Sequence, residues 1–360
     1  MADSGGHWKN LAEAQKLSTS TTVAGVVETD IKRNNPAKIL PIFKGSGTGL
    51  SIKWLLEKTG VEKDVQNLTI GSQMSWSEGV EYTTQETGLT IKAVQRKLDS
   101  YVAAIYGTYN NYEAQMLLET KKGCMRKLGD AIIYDNSTYG VNQFDGMHAW
   151  AAKIGAPAAG SLNVDANGAL SLGQFRSMAD AGKLGWDAIL MPFGLLSRLE
   201  ASFQEKGFAG LASGTAGTMA NVSWRYDDFG RRIGSWGSAM GPIPIIPTDY
   251  LVAEQDGTGT GSTADARAKW TSGTVTYSVF FLKFGNPLDT TNPGVAFAFG
   301  NQPGGDSTLI DEGFFELQYF NKLEDYIGKG IRLFNFGSFI ASSPFALGRI
   351  FDITDAAITT

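Results

Sequence analysis

Chemistry-bearing side chains are scarce in this chain. One cysteine, Cys124, and two histidines, His7 and His148, stand among 360 residues. A lone thiol excludes an intrachain disulfide. Its setting, Gly123-Cys124-Met125 inside a helical pattern, marks it as a small buried apolar residue. Neither histidine has cysteines or carboxylates at ligand spacing, so no metal centre is expected, and His148 beside Trp150 reads as structural. No basic stripe is present: the formal charge is −5, with acids and bases interspersed. That excludes a sequence-reading nucleic-acid binder, and it suits weak or absent contact with any nucleic acid the protein encloses. The longest uncharged apolar run, Ala188 to Leu196, contains Pro192 and is far too short to span a bilayer. Residues 1–10 lack the basic-then-apolar order of a signal peptide. The expectation is a soluble protein made in a reducing cytosol.

Cofactor fingerprints are missing too. Gly45-Ser46-Gly47-Thr48-Gly49 and Gly257 to Gly261 are glycine-rich, but neither ends in the Gly-Lys-Ser/Thr that places a lysine and a hydroxyl on phosphate and magnesium. Neither follows the strand–loop–helix order of a dinucleotide site. They read as a hinge and a surface loop. The pairs Asp227-Asp228, Asp311-Glu312 and Glu324-Asp325 fit solvated turns, and neighbours on a strand point to opposite faces. Covalent joining of Lys53, Lys58 or Lys63 to an asparagine needs a buried carboxylate beside the pair, and none is identifiable. No catalytic residue, cofactor or metal is expected.

What the chain has is glycine, 44 residues, and aromatics at 11%, against 42% hydrophobic and 19% charged residues. This is a globular composition with many turns and strands, long enough for two or three packing units. Residues 1–44 lack a clear period and read as an extended arm ordered by docking. From Gly49, Leu50, Ile52, Trp54 and Leu56 alternate with Ser51, Lys53, Leu55 and Glu57, the period of a strand. A second strand-like set runs through Val80, Tyr82 and Thr84 to Leu89, Ile91 and Ala93. Roughly twenty residues between the two make a broad loop rather than a tight turn. An isolated ribbon is marginal in water, so a neighbouring copy of the protein is expected to cover it.

Between Tyr109 and Tyr134 the period becomes helical. Tyr112, Met116, Leu117, Cys124, Leu128 and Ile132 form the apolar face, and basic residues gather in the second half, where the helix dipole favours them. Such a helix is about 35 Å long. Gln143-Phe144-Asp145-Gly146 follows, locally an ordinary Asp-Gly turn with Phe144 as its anchor. Further on come a short helix within Gly168–Gly182, a buried strand from Trp186 to Met191 and a helix carrying Leu195, Leu196, Leu199 and Phe203. Pro242-Ile243-Pro244-Ile245-Ile246-Pro247 has few donors and suits a sheet edge. The last third is strand-rich: 274–284, 295–299, 314–321 and 331–341, with one more turn or strand within 344–352.

The succession of arm, Gly49-Leu50-Ser51-Ile52-Lys53-Trp54, broad loop, long helix and Gln143-Phe144-Asp145-Gly146 resembles major capsid proteins of tailed bacteriophages, with the Hong Kong 97-type fold. Gly330-Ile331-Arg332-Leu333-Phe334-Asn335-Phe336 and Pro344-Phe345-Ala346-Leu347-Gly348-Arg349-Ile350 are similar to that family's last strand and terminal stretch. The resemblance implies an α+β fold with an N-terminal arm (1–44), an extended E-loop (45–93), a peripheral domain with a long spine helix (94–185), an axial domain (186–310) and a return to the peripheral domain (311–360). It implies pentamers and hexamers closing an icosahedral shell around double-stranded DNA, a virion component assembled in the host cytoplasm. Leu50, Ile52, Trp54, Leu56, Val80 and Tyr82 then bury surface between subunits, at roughly 25 cal/mol per Å². Flexible joints fall at Gly45–Gly49 and Gly79–Gly88. About forty residues precede the E-loop without helical heptads, which points to a separate scaffold protein or none. A portal and a decoration protein are the family's other partners, and no membrane is involved. Two alternatives stay open: an encapsulin-like cargo shell of the same fold, and an α/β hydrolase-type enzyme, which predicts a deep pocket with convergent polar groups.

Overall fold

Strands apolar on both faces set the architecture. The computed structural model describes residues 28–44, 49–57, 65–74, 76, 82–106, 112–154, 162–205, 222–226, 232–238, 240–256, 267–286, 289, 291–300, 307–310, 313–323 and 327–359. In chain order the elements are helix α1 (Pro36–Ile39), strands β1 (Ile42–Lys44), β2 (Ser51–Glu57), β3 (Tyr82–Gly88) and β4 (Thr90–Asp99), then helices α2 (Ser100–Tyr106), α3 (Tyr112–Tyr134) and α4 (Met147–Ile154). Strand β5 (Asn163–Ser171), helix α5 (Leu172–Ala181), strand β6 (Ala188–Pro192) and helix α6 (Phe193–Glu205) follow. The remainder is strand: β7 (Val222–Tyr226), β8 (Arg232–Ser238), β9 (Gly241–Thr248), β10 (Glu254–Asp256), β11 (Arg267–Lys269), β12 (Tyr277–Leu282), β13 (Val295–Phe299), β14 (Ser307–Ile310), β15 (Phe315–Phe320), β16 (Gly328–Ala341) and β17 (Leu347–Thr359).

A seven-stranded sheet runs β5-β17-β12-β6-β9-β8-β7, and a six-stranded sheet runs β1-β13-β16-β15-β14 with β4 also on β16. All of β6 is buried, as is β12 beyond Tyr277. Period two sends Leu190, Phe280 and Leu282 into one core and Ile189, Met191, Val279 and Phe281 into another. The first core joins the sheet to α3, α4 and the six-stranded sheet through Leu128, Ile132, Trp150, Phe297, Leu333 and Phe339. The second is closed by α5 and α6, where Phe175 meets Trp236 at 4.6 Å and Phe281 at 5.1 Å.

Sheet membership is interleaved along the chain. Strand β5, with helix α5 after it, belongs to the seven-stranded layer, strands β13 and β14 pair in the six-stranded sheet, and β17 returns to lie beside β12. The chain thus crosses between layers repeatedly. The end of the expected arm is anchored. Asn35 caps α1 through Ala37 N (2.9 Å) and donates to Met125 O of α3 (2.8 Å), and β1 pairs in parallel with β13. Residues 34–44 are thus built into their own chain. Strand β9 is not at an edge. It lies between β8, which pairs with 241–245, and β6, which pairs with 245–248, so each proline has a partner strand on one flank only.

Helix α3 buries Leu128 and Ile132, with Met125, Ala131 and Ile133 beside them, while Tyr112 and Met116 are half-buried. Its last turn holds no basic residue. Lys122 and Arg126 reach Glu28 of the arm instead, and Lys32 and Lys269 take Asp130. The basic residues serve tertiary pairing more than the helix dipole.

The chain reverses after α3 through Gln143-Phe144-Asp145-Gly146. Gln143 accepts from Asn136 N (3.3 Å), and Phe144 is buried edge-on to Phe297 at 6.1 Å. Asp145 accepts from Ser137 N (3.0 Å), Ser137 Oγ (2.7 Å) and Lys153. Burial pushes its carboxyl up, but Lys153 and the two Ser137 donors outweigh that and hold it below the ordinary value. Gly146 N donates to Asp135 O (2.7 Å), and a Cβ there would stand 2.8 Å from the carbonyl oxygens of both Ala131 and Ile132. Gly146→Ala is expected to cost about 1–3 kcal/mol, seen as a lower urea midpoint at unchanged slope. An unchanged midpoint would show that the helix end yields freely.

Candidate functional site

Strands β2 and β3 pair in antiparallel register from Ser51↔Gly88 to Glu57↔Tyr82. Alternation again divides the faces. Ile52, Trp54 and Leu56 turn inward onto the first core. Trp54 is 9% exposed, lies 5.8 Å from the Trp150 ring and donates Nε1–H to Ser342 O at 3.2 Å. Beside it, the Thr87 and Ser338 hydroxyls meet at 3.0 Å. On the outward face Lys53 pairs with Glu86 at 3.2 Å, while Leu55, Leu50 and Tyr82 are exposed. Of the expected contact residues, Trp54 is thus buried within its own chain by Trp150 and Ser342, partners too distant in sequence to be foreseen, while Ile52 and Leu56 are half-buried and Leu50 and Tyr82 are exposed. Leu55, which alternation places on the polar side, is exposed as well. Val80 lies outside the described residues, as do Gly45–Ser46–Gly47–Thr48, Lys58, Lys63 and Gly79. Gly88 is held in the ladder and not free to pivot.

Beyond the ribbon, residues 65–74 and 76 carry no charge. Val65, Leu68, Ile70, Met74 and Trp76 are all exposed, Ile70 and Trp76 completely. A turn shapes this stretch: Ser72 N and Oγ both donate to Thr69 O (3.0 and 2.7 Å), and Gly71 takes φ 92°. A positive φ at the third turn position suits glycine and leaves Ile70 at the second, pointing into solvent. Five large apolar side chains on an uncharged stretch form a surface suited to a partner.

A second feature is buried and was not foreseen. His148 on α4 contacts Glu254 Oε1 through Nε2 (3.0 Å) and Arg349 Nη1 through Nδ1 (3.0 Å). Glu254 also accepts from Tyr134 OH (2.8 Å) and Ser278 Oγ (2.5 Å), and Arg349 Nε donates to Asn163 Oδ1 (2.8 Å). Glu254 and Arg349 are fully buried. Burial alone pushes the Glu254 carboxyl up, but His148, Ser278 and Tyr134 hold it below its ordinary value. Burial and the nearby Glu254 charge raise the Tyr134 hydroxyl well above 10. This is an ion pair relayed through a neutral imidazole, and it ties α3, α4, β10, β12, β5 and β17 together. In the sequence only the nearness of His148 to Trp150 hints at it, as a structural histidine.

Among the described residues no group of three His, Cys, Asp or Glu is placed to hold a metal ion, and no helix is long and apolar enough to cross a membrane. An open cleft of about 500 Å³ is lined by Asn167, Gln255, Arg267, Asp352 and Thr354. Its polar groups are committed to their own neighbours: Arg267 to Asp352 at 3.5 Å, and Gln255 Oε1 to the backbones of Thr271 and Ser272. Cys124 is half-buried, and burial pushes its thiol up to about 11, the environment of an inert side chain.

No family model matches the sequence, and no curated protein matches it. Solved structures do. The holo-SrpI encapsulin complex from Synechococcus elongatus PCC 7942 aligns at TM-score 0.61 and 13% identity, over 97% of this chain and 97% of that one. The capsid of a native GTA particle aligns at TM-score 0.51 and 14% identity, over 93% and 94%. The capsid of cyanophage P-SCSP1u aligns at 0.50 and 9%, over 94% and 93%. The chain therefore has the Hong Kong 97-type capsid fold, shared along nearly its whole length with shell proteins of both phages and encapsulins.

Trp54→Ala is expected to cost the unassembled subunit about 3–5 kcal/mol and to open 51–57 and 82–88 to hydrogen exchange. Loss of assembly with no loss of subunit stability would instead assign Trp54 to a neighbour.

Proposed function

We propose that this chain is the structural subunit of a closed protein shell, in which the uncharged run 65–76 of each copy lies on a neighbouring copy. The observation that carries this is the division of labour along the ribbon. Its base is satisfied within the chain by Trp54 and Thr87, while its far end presents Ile70 and Trp76 entirely to solvent. Such an exposed apolar surface suits a neighbouring copy. Burial recovers roughly 25 cal/mol per Å², and several modest contacts per subunit combine through multivalency in a ring of five or six copies. The function is mechanical, and no catalytic step is assigned.

We read the shell as a phage-type head enclosing double-stranded DNA, with a separate scaffold and a portal as assembly partners, a decoration protein as a further outer partner, and assembly in the host cytoplasm. The GTA and cyanophage capsids, each matched over more than nine-tenths of both chains, support that reading. The higher score of the encapsulin complex supports a second one, a compartment loaded with protein. Particles purified from the native source separate them: nuclease-protected DNA inside supports the head, and a co-purifying enzyme supports the compartment.

The double substitution Ile70→Asp with Trp76→Asp should abolish closed shells in negative-stain electron microscopy. Both residues are solvent-exposed in the subunit, so its unfolding free energy should stay within about 0.5 kcal/mol. Normal shells from this variant would overturn the proposed contact.

A further inference from the structure

We propose that His148 is a proton-operated lock between the seven-stranded sheet and the base of the β2–β3 ribbon, closed while its imidazole is neutral and opened when it is protonated. Donor chemistry fixes the closed state. A guanidinium has only hydrogens to offer, so His148 Nδ1 must accept from Arg349, which leaves Nε2–H to donate to Glu254. One tautomer satisfies both contacts. A proton added at Nδ1 removes the Arg349 bond and sets two cations 3.0 Å apart in a buried site.

The other groups facing the site do not relieve this. Helix α3 presents Tyr134, stacked on the imidazole at 5.3 Å, and Asp130 nearby, which already holds Lys32 and Lys269. Strand β11 presents Arg267, paired with Asp352 of β17, and Lys269 above the Tyr134 ring. Strand β12 places Phe280 edge-on at 4.8 Å and Ser278 on Glu254. Among the described residues Glu254 is the only acid in contact with the ring, and Arg349 and Arg267 oppose it. Burial, with those two cations, holds the imidazole below its ordinary 6.5 although Glu254 pulls the other way.

Helix α4 carries the consequence to the ribbon. His148 and Trp150 are two residues apart on it, and Trp150 contacts Trp54 while donating to Phe339 O at 3.2 Å. Displacing the ring from Arg349 and Glu254 moves the helix that anchors Trp54. The lock itself is independent of the shell reading; only its effect on assembly rests on it.

The sign follows from the depressed value. Between 6.5 and the lower folded value the unfolded chain binds a proton that the folded chain refuses, so stability falls as pH falls. Unperturbed carboxylates have values of about 4, below the pH 8 to 5 range used, and the chain's only other histidine is His7. The experiment follows urea unfolding of the unassembled full-length chain from pH 8 to 5 for wild type, His148→Gln and the control His7→Gln. Glutamine can accept from Arg349 and donate to Glu254 but cannot be protonated. Wild type and His7→Gln should lose up to about tenfold in folding constant per pH unit below 6.5, and His148→Gln should be nearly flat. At pH 5.5 hydrogen exchange of 51–57 and 82–88 should rise in wild type and not in His148→Gln. An equal acid slope in His148→Gln, or unchanged ribbon protection in wild type, would overturn the lock. Should the variant not fold, NMR titration of wild-type His148 decides: a pKa at or above 6.5 sinks the proposal.

Discussion

The seven-stranded sheet is apolar on both faces, and that constraint places nearly everything else. Strands β6 and β12 bury every other side chain to each side, so the sheet needs two covers of different origin. One is local: α5 and α6 flank β6 in sequence and close the second core. The other must come from afar, and it is the long helix α3 with α4 and the six-stranded sheet behind them. Because β17 lies in one sheet and β16 in the other, only residues 342–346 separate the layers at that crossing. Trp54 reaches Ser342 in the same short link. The ribbon, the two sheets and α4 therefore meet within a few residues.

Charge is admitted to that meeting point on strict terms. Removing a carboxylate and a guanidinium from water costs several kcal/mol each unless their hydrogen-bonding groups are occupied. Glu254 receives three side-chain donors and Arg349 is held by Asn163 and His148. Removing Glu254 or Arg349 alone strands the other as a buried charge, whereas a purely apolar junction would carry no such requirement. Polar groups of fixed geometry tolerate one arrangement of the layers. Placing a titratable ring at the centre of that arrangement makes it conditional on pH.

Element order was legible in the sequence because it is written in local periods. Ile52-Lys53-Trp54 has the strand period, Leu128 and Ile132 the helical one, and Pro192 marks the end of β6. The elements appear at those places. What could not be read was which cover each face would find. Alternation says only that the Trp54 face is apolar, not whether a covering group is 96 residues away, as Trp150 is, or on another chain. Pro242 and Pro244 suggested an edge because a missing donor forbids pairing on one flank, and the staggered overlap of β6 and β8 meets that condition inside the sheet. His148 and Glu254 stand 106 residues apart, and neither has a neighbour that signals the other.

A ribbon wholly dependent on its neighbour would have to remain unpaired until assembly, exposing strand edges that invite the wrong partner. Anchoring the base by Trp54 and Thr87 meets the ordering cost of β2 and β3 during folding of the subunit. In the proposed shell, less conformational entropy is then left for assembly to overcome, so a weaker contact at Ile70 and Trp76 suffices. Weak contacts would let wrongly placed subunits leave, while a completed ring would hold because every copy is retained by two others. The absence of charge from the exposed run fits the same proposal. A fixed ion pair would demand one geometry, whereas apolar contact would tolerate the small differences in angle between the proposed rings of five and six.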